Sequence, residues 1–163
     1  MASQAFLSEG RAPWGKMQSI FATIRYFGGG ENLAWICQYA MTAIVAVGLV
    51  ALWRSRVRYS IKAAAVATGT LLATPYLFLY DVMVLAVPIA FLIRIGLNGG
   101  FYRGEISGLS LAFALLFAFP FVGAPTGFAA TVVVAVLLAR RCGLLGALPA
   151  KSPSIPVAPL HTI

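Results

Sequence analysis

Charged side chains are scarce in this sequence. Only 10% of its 163 residues are Asp, Glu, Lys or Arg, and 61% are hydrophobic, whereas an ordinary soluble domain has about 25% charged and roughly 45–50% apolar residues. Acidic residues are the scarcest: four stand against twelve Lys and Arg, which gives a net charge of +8. This composition excludes an ordinary soluble domain and indicates an integral membrane protein.

Metal, redox and nucleotide motifs are also lacking. Cys37 and Cys142 stand apart without metal or redox spacing, and His161 has no neighbouring ligand. The glycines at 28–30 do not open the helix of a nucleotide-binding unit. We therefore predict no metal site and no cofactor. The positive residues separate apolar runs instead of forming one patch, so they indicate membrane topology and not nucleic-acid binding.

Several apolar runs are candidates for membrane-spanning helices, which need about 20 apolar residues. The run from Leu33 to Trp53 carries no charge and ends in an aromatic residue followed by RSRVR, as is typical of a cytoplasmic boundary. Ile106 to Val122 and Thr126 to Ala139 are two shorter runs joined by the turn signal GAPTG. The first thirty residues hold no apolar run long enough for a signal peptide, so we expect these later segments to drive insertion.

The region from Tyr59 to Leu97 is too long for one upright helix, and it could be one tilted span or two short ones. With one crossing, Arg94 and Arg103 would lie on the side opposite to RSRVR; with two crossings they return to it. The rule that positive residues stay in the cytoplasm favours two crossings. Pro75 marks the turn, because proline interrupts the helical hydrogen bonds and restricts the preceding residue. The sequence thus predicts about five spans, with one short pair broken at Pro75.

Asp81 is the one charged residue between Ala63 and Ile93. A carboxylate in the middle of a bilayer costs at least a few kcal/mol. In the two-crossing arrangement the stretch TPYLFLYD instead lies at the extracytoplasmic face, and Asp81 begins the returning helix, whose positive N-terminus favours a carboxylate. Tyr76 and Tyr80 suit the same interface. A helix cap with an aromatic belt is therefore one interpretation, and a functional site is the other.

A short amphipathic helix is predicted ahead of the first span. Its apolar residues recur at spacings of three, four and seven positions, which places them on one helix face, and the pattern ends at the glycines of positions 28–30. We expect this helix to lie on the membrane surface, on the same face as TPYLFLYD. The stripe consists of Met17, Ile20, Phe21, Ile24 and Phe27.

The predicted fold is all-α, a polytopic transmembrane helical bundle. Residues 1–32 are interpreted as an extracytoplasmic segment with the interfacial helix, 33–141 as the transmembrane helical region and 142–163 as a disordered, proline-rich cytoplasmic tail. An N-terminus of some thirty residues that must cross without a leader suggests that the sequence is the C-terminal part of a longer polytopic protein.

Two motifs, PWGKMQSIFATIRYFGGG and LLATPYLFLYDVMVLAVPIAFL, are separated by a span containing Gln38 and a basic WRSR turn. Together they resemble the C-terminal portion of glycosyltransferase family 87, over roughly Phe6 to Leu97. These are multispan bacterial membrane enzymes of the GT-C type, similar to the polyprenol-phosphate-mannose-dependent mannosyltransferases. The resemblance implies hexosyl or mannosyl transfer from a polyprenol-phosphate sugar to a glycolipid or polysaccharide acceptor, at the extracytoplasmic side of a bacterial inner membrane.

The resemblance also implies a site around donor and acceptor. Its expected residues are Trp14, Lys16, Gln18, Arg25, Tyr76, Tyr80 and Asp81. Lys16 and Arg25 could pair with a lipid phosphate of the substrate or simply extend to the anionic headgroups of the membrane. Asp81 is expected to contact the acceptor or shape the site, and the catalytic base is unknown, because Glu9 and Glu31 do not occupy the family's acidic first-loop motif.

The alternative function is that of a small non-enzymatic multispan membrane protein or helix-packing subunit. Small residues would let its helices approach closely. They are Ala63, Ala64, Ala65, Ala67 and Gly69. A transporter is a third possibility, but the sequence has no internal repeat.

Overall fold

The computed structural model describes residues 17–143, apart from residues 79 and 123 and the side chain of residue 120. Within these residues the fold is all-helical, and it has no strand beyond one isolated antiparallel bridge between Met17 and Phe78. The elements in chain order are α1 (Ile20–Tyr26), α2 (Glu31–Arg54), α3 (Tyr59–Ala73), a 3-10 helix (Asp81–Leu85), α4 (Ala86–Gly99), α5 (Glu105–Val122) and α6 (Thr126–Arg141). Trp14, Lys16 and the predicted tail beyond residue 143 lie outside the described residues.

Each predicted apolar run forms a helix, so the all-α fold class is confirmed. Two helical stretches are long and apolar enough to cross a membrane by length and composition: α2, with 24 residues, and the continuous stretch Asp81–Gly99, with 19. The other helices are shorter; α3 has 15 residues and α6 has 16.

The predicted break at Pro75 is present. α3 ends at Ala73, Thr74 is extended with φ −83° and ψ 118°, and the chain becomes helical again at Asp81. The physical reason is the one expected from the sequence: a residue that precedes proline is pushed out of helical geometry. α3 and α4 therefore form a pair that turns back at residues 74–80.

The core lies around α3, which contacts α2, α4 and α6, while α5 packs against α6. Buried Ala64, Leu92 and Val134 come from three of these helices and belong to one hydrophobic cluster. Gly69 lets α2 approach closely, since a Cβ atom there would lie 2.9 Å from Val45 Cγ1. This is the close helix approach that the small residues of α3 predict.

Positive charge gathers at one end of the helices, which we call the basic end. Arg58 and Arg94 line one pocket, and Leu52 and Cys142 line one groove, so the ends of α2, α4 and α6 meet the start of α3 there. Eight of the nine cations in the described residues lie at this end, as the two-crossing arrangement predicts. They are Arg54, Arg56, Arg58, Lys62, Arg94, Arg103, Arg140 and Arg141.

A buried ion pair ties α5 to α6 at the basic end. Arg141 donates from Nε to Glu105 Oε1 and from Nη2 to Glu105 Oε2, both at 2.6 Å. The two side chains are 6% and 2% exposed. The guanidinium also lies over the Tyr102 ring, 4.6 Å from its centroid. Because both partners are buried, this pair fixes the antiparallel alignment of the two helices.

Candidate functional site

The opposite end, which we call the loop end, holds the segment before α1 and residues 74–81. The two are hydrogen-bonded side by side. The Gln18 amide donates to the Leu77 carbonyl at 2.7 Å, and the Ser19 hydroxyl donates to the Pro75 carbonyl at 2.6 Å. The two segments that the sequence predicts to share one face are thus in direct contact, 56 positions apart in the chain for Ser19 and Pro75.

Ser19 explains where α1 begins. Its backbone is extended, with φ −116° and ψ 163°, and its hydroxyl accepts a hydrogen bond from the Ala22 amide at 3.2 Å. This is an N-cap, which satisfies an amide that the first helical turn leaves without a partner. The helix is therefore shorter than the apolar stripe, because Met17 lies in the extended segment before the cap.

The predicted apolar stripe does not lie on one uniformly exposed or uniformly buried face of α1. Phe21 is 1% exposed, whereas Phe27 is 78% exposed. Gly28 has φ +83°, and the Gly29 amide donates to the Ile24 carbonyl at 2.9 Å. This left-handed turn ends the helix where the glycines predict it. The stripe is thus divided: its first part packs inside the loop end, and its last residue faces outward.

Gln18 is fully buried and connects the N-terminal segment to α6. Its Oε1 atom accepts a hydrogen bond from the Gly127 amide at 2.7 Å. α6 begins at Thr126, so this amide belongs to the first turn, where no intrahelical acceptor exists. Gly127 leaves room for the contact, since a Cβ atom there would lie 2.8 Å from Gln18 Oε1. A residue predicted to contact substrate thus has a structural role at this position.

Asp81 begins the 3-10 helix, as predicted. Its Oδ2 atom accepts from the Phe78 amide at 3.0 Å, and its own amide donates to the Phe78 carbonyl at 3.1 Å. This reciprocal pair resembles the capping box of helix N-termini. Within the described part of the chain the second carboxylate oxygen, Oδ1, has no hydrogen-bond partner. Asp81 itself is partly exposed.

An aromatic cluster lies beside these segments. The Phe21 and Trp35 ring centroids are 4.7 Å apart, and the Tyr76 ring meets both edge-on at 6.4 and 6.2 Å. Burial, reinforced by Glu31 and Tyr39, raises the pKa of the Tyr76 phenol above its usual value. The phenol therefore stays neutral at physiological pH and can donate a hydrogen bond.

Tyr80 and Arg25 occupy the edges of the loop end. Tyr80 is 68% exposed and stacks on Phe78, with the ring centroids 5.6 Å apart. Arg25 lies in the last turn of α1, and its Nη1 atom donates to the Gly29 carbonyl at 3.1 Å. The five described members of the predicted site thus all belong to one end of the molecule, while Gln18 and Tyr76 face inward and Tyr80 faces outward.

Gln38 supports the loop from α2. Its side chain is 1% exposed, and its Nε2 atom donates to the Leu72 and Ala73 carbonyls at 3.3 and 3.0 Å. These carbonyls end α3 and lack helical partners. Gln38 Oε1 is buried without a hydrogen-bond partner in the described residues. The amide thus fixes the point at which the chain leaves α3 for the Pro75 turn.

Sequence reasoning missed three residues that build this end: Ser19, Trp35 and Gly127. Ser19 carried a readable signal, because a serine directly before an apolar helical stripe is a typical N-cap. Gly127 carried none, because its contact with Gln18 joins positions 109 apart.

The loop end contains no recognisable metal centre, since the described residues hold no group of three or more His, Cys, Asp or Glu side chains able to bind a metal ion. Comparison of the chain with protein-family models, with curated proteins and with solved structures finds no match.

Proposed function

We propose that this chain is a multi-pass protein of the bacterial inner membrane and that its loop end forms part of a glycosyltransferase site resembling family 87. The reaction is transfer of a hexose, such as mannose, from a polyprenol-phosphate sugar to a glycolipid or polysaccharide acceptor. The five long helices α2 to α6 span the membrane in this proposal, with the basic end in the cytoplasm and the loop end outside.

Exposed apolar surface supports the membrane placement. Along α2, Ile36, Ile44 and Val47 are each more than 60% exposed, and on α5 Phe117 and Phe121 are more than 75% exposed. Apolar surface left in water costs about 25 cal/mol per Å², and soluble monomers rarely leave large apolar patches uncovered. A bilayer removes this cost. The cations gathered at one end supply the expected charge asymmetry.

The observation that carries the proposal is the contact between the two motifs on which the resemblance rests. Gln18 and Ser19 of the first motif bond directly to Leu77 and Pro75 of the second. Residues from both motifs therefore surround one surface at the loop end, which has few cations. In the proposed topology this surface lies outside the cell, where it would bind a lipid-linked sugar.

The chemistry assigned to this surface follows from its side chains. A sugar-phosphate donor leaves a negatively charged lipid phosphate, which a guanidinium such as that of Arg25 stabilises. Asp81 Oδ1 accepts a hydrogen bond from an acceptor hydroxyl and so orients it. The exposed Tyr80 ring, stacked on Phe78, offers a flat surface beside that hydroxyl. The general base is not assigned to a residue of this chain.

The test is transfer of radiolabelled hexose from a polyprenol-phosphate sugar in membranes of cells that express the complete native reading frame. Asp81→Ala and Arg25→Ala should each reduce transfer by about tenfold or more, since one charged hydrogen bond contributes about 1.5–3 kcal/mol. Arg56→Gln, at the basic end, is the matched control and should leave transfer unchanged. Undiminished transfer by both loop-end variants, at equal protein amounts, would remove these residues from the site.

A second candidate is a non-enzymatic multispan membrane protein, and the hydrogen bonds of the loop end favour it. Gln18 Oε1 caps α6 and Asp81 Oδ2 caps its own turn, so both predicted site residues have structural partners. In this case membranes that contain the unmodified chain should transfer no more hexose than membranes without it, and Asp81→Ala should lower only the stability of the protein. A variant that folds normally and transfers no sugar would instead favour the enzyme.

A further inference from the structure

A small polar pocket opens at the basic end, between the start of α3 and the last turns of α4. Its volume is about 270 Å³. Its lining residues are Arg58, Ser60, Phe91, Arg94, Ile95 and Asn98. Two arginines, a serine and an asparagine thus line one recess, and Phe91 and Ile95 complete its wall. Arg58, Arg94 and Asn98 are exposed.

The described part of the chain does not compensate the charges of this pocket. Three acidic residues are described: Glu31 and Asp81 belong to the loop end, and Glu105 is paired with Arg141. Neither Arg58 nor Arg94 has a carboxylate partner among the described residues. Two positive side chains that line one recess repel each other. An anion bound between them attracts both and offsets this repulsion.

Three neighbouring cations of the basic end, Lys62, Arg140 and Arg141, behave differently. Lys62 donates to the Trp53 and Ser55 carbonyls at 3.2 and 2.9 Å. Arg140 donates to the Arg103 carbonyl at 3.1 Å, and Arg141 holds Glu105. These side chains are engaged in joining helix ends, whereas the two arginines of the pocket form no such bonds in the described chain.

The start of α3 adds to the positive potential. α3 begins at Tyr59 and continues for 15 residues, so the positive end of its dipole lies beside Ser60 in the pocket wall. First-turn amides of a helix are natural donors to phosphate oxygens. Arginine adds the planar pair of donors that matches a phosphate group.

We infer that this pocket binds a phosphate group, held by Arg58 and Arg94 with Ser60 and Asn98 as polar partners. The group belongs either to the headgroup of an anionic phospholipid or to a soluble phosphate. Basic pockets between helices at the cytoplasmic side of membrane proteins bind lipid headgroups in this manner. The site lies at the opposite end of the molecule from the loop end and does not depend on the sugar-transfer proposal.

The experiment uses the full chain, purified and reconstituted in neutral phosphatidylcholine nanodiscs. One arm adds phosphatidylglycerol and counts bound lipid by native mass spectrometry. The other adds inorganic phosphate or pyrophosphate and measures binding by calorimetry. The pocket variants are Arg58→Gln and Arg94→Gln. Arg54→Gln and Arg56→Gln are the matched controls, because they remove the same charge from the same turn outside the pocket.

Each pocket variant should weaken binding by about tenfold or more, since it removes charged hydrogen bonds to the phosphate. Each control should weaken binding by about threefold or less, because its side chain lies outside the pocket and acts only through long-range charge. If the pocket variants weaken the binding of phosphatidylglycerol more than the controls do, the ligand is a lipid headgroup. If they do so only for phosphate or pyrophosphate, the ligand is a soluble phosphate. Equal effects of all four variants, or no binding of either probe to the unmodified chain, would overturn the assignment.

Charge-preserving variants separate a built site from general attraction. Arg58→Lys and Arg94→Lys keep the net charge but lose the planar donor pair, so binding should still fall several-fold. Binding that is fully retained by both lysine variants would show a diffuse electrostatic effect and would contradict the proposal. These variants also serve if a glutamine variant fails to fold.

Discussion

The contact between Gln18 and Gly127 predicts that a single methyl group detaches the N-terminal segment from α6. In Gly127→Ala the new Cβ atom would lie 2.8 Å from Gln18 Oε1, which is closer than real Cβ contacts, and 3.2 Å from Gln18 Cγ, which is tighter than most of them. The Gln18 side chain must move, and the 2.7 Å hydrogen bond from the Gly127 amide is lost. A buried amide left without its acceptor costs about 1–3 kcal/mol.

Part of that cost is offset, because replacing glycine by alanine in a helix stabilises it by roughly 0.5–1 kcal/mol. The central values of these two ranges leave a net loss of about 1 kcal/mol. This loss corresponds to a roughly five- to tenfold larger population of molecules in which α1 has opened. The measurement is hydrogen exchange of the α1 amides, followed by mass spectrometry in detergent or nanodiscs.

Gly48→Ala is the matched control for this prediction. Gly48 lies within α2, and a Cβ atom there would meet nothing within 4 Å. This variant should leave exchange in α1 unchanged and slightly stabilise α2. The reasoning would be refuted if Gly127→Ala left the exchange of the α1 amides as slow as in the unmodified chain, or if both variants accelerated it equally.

Three further predictions concern packing, charge and pH. Glu105→Gln should lower the stability measured by thermal unfolding by about 3–5 kcal/mol, because Arg141 then remains buried without a counter-ion; an unchanged unfolding temperature would contradict this. Gly69→Ala should destabilise by about 1–3 kcal/mol through its contact with Val45, and the added Val45→Ala should restore most of the loss. Burial raises the pKa of the Tyr76 phenol in the folded protein. The neutral phenol therefore contributes its full stability to the fold below the usual tyrosine pKa of about 10, and this contribution is lost as the pH rises through the folded-state pKa. Tyr76→Phe should therefore show a weaker loss of stability in alkaline solution.

Much of the helical architecture was predictable from the sequence, because the apolar runs are bounded by charges, glycines and prolines. The break at Pro75 and the start of a helix at Asp81 depend on local geometry, and both are observed. The prediction that cations gather at one end came from topology and agrees with the contacts of Arg58 and Arg94. Local chemistry and charge balance thus determine where helices begin, end and turn.

The packing of the loop end was less predictable. The apolar stripe indicated a surface helix, yet Ser19 starts the helix after Met17, and Phe21 is buried against Trp35. Periodicity identifies which residues share a face, but it does not tell which neighbour covers that face. The capping of α6 by Gln18 depends on the arrangement of several helices, and no short-range pattern encodes it.

The shortness of α3 has a consequence for the surrounding lipid. Fifteen residues at 1.5 Å each give a rod of about 22 Å, which is less than the roughly 30 Å thickness of a hydrocarbon layer. In the proposed arrangement, in which α3 spans the membrane with its basic start among the headgroups, its other end stops several ångströms short of the opposite polar boundary. That arrangement would require the bilayer to thin beside α3 or water to reach the Pro75 turn. The lipid-linked sugar of the proposed reaction would then meet the protein where the membrane is locally thinned.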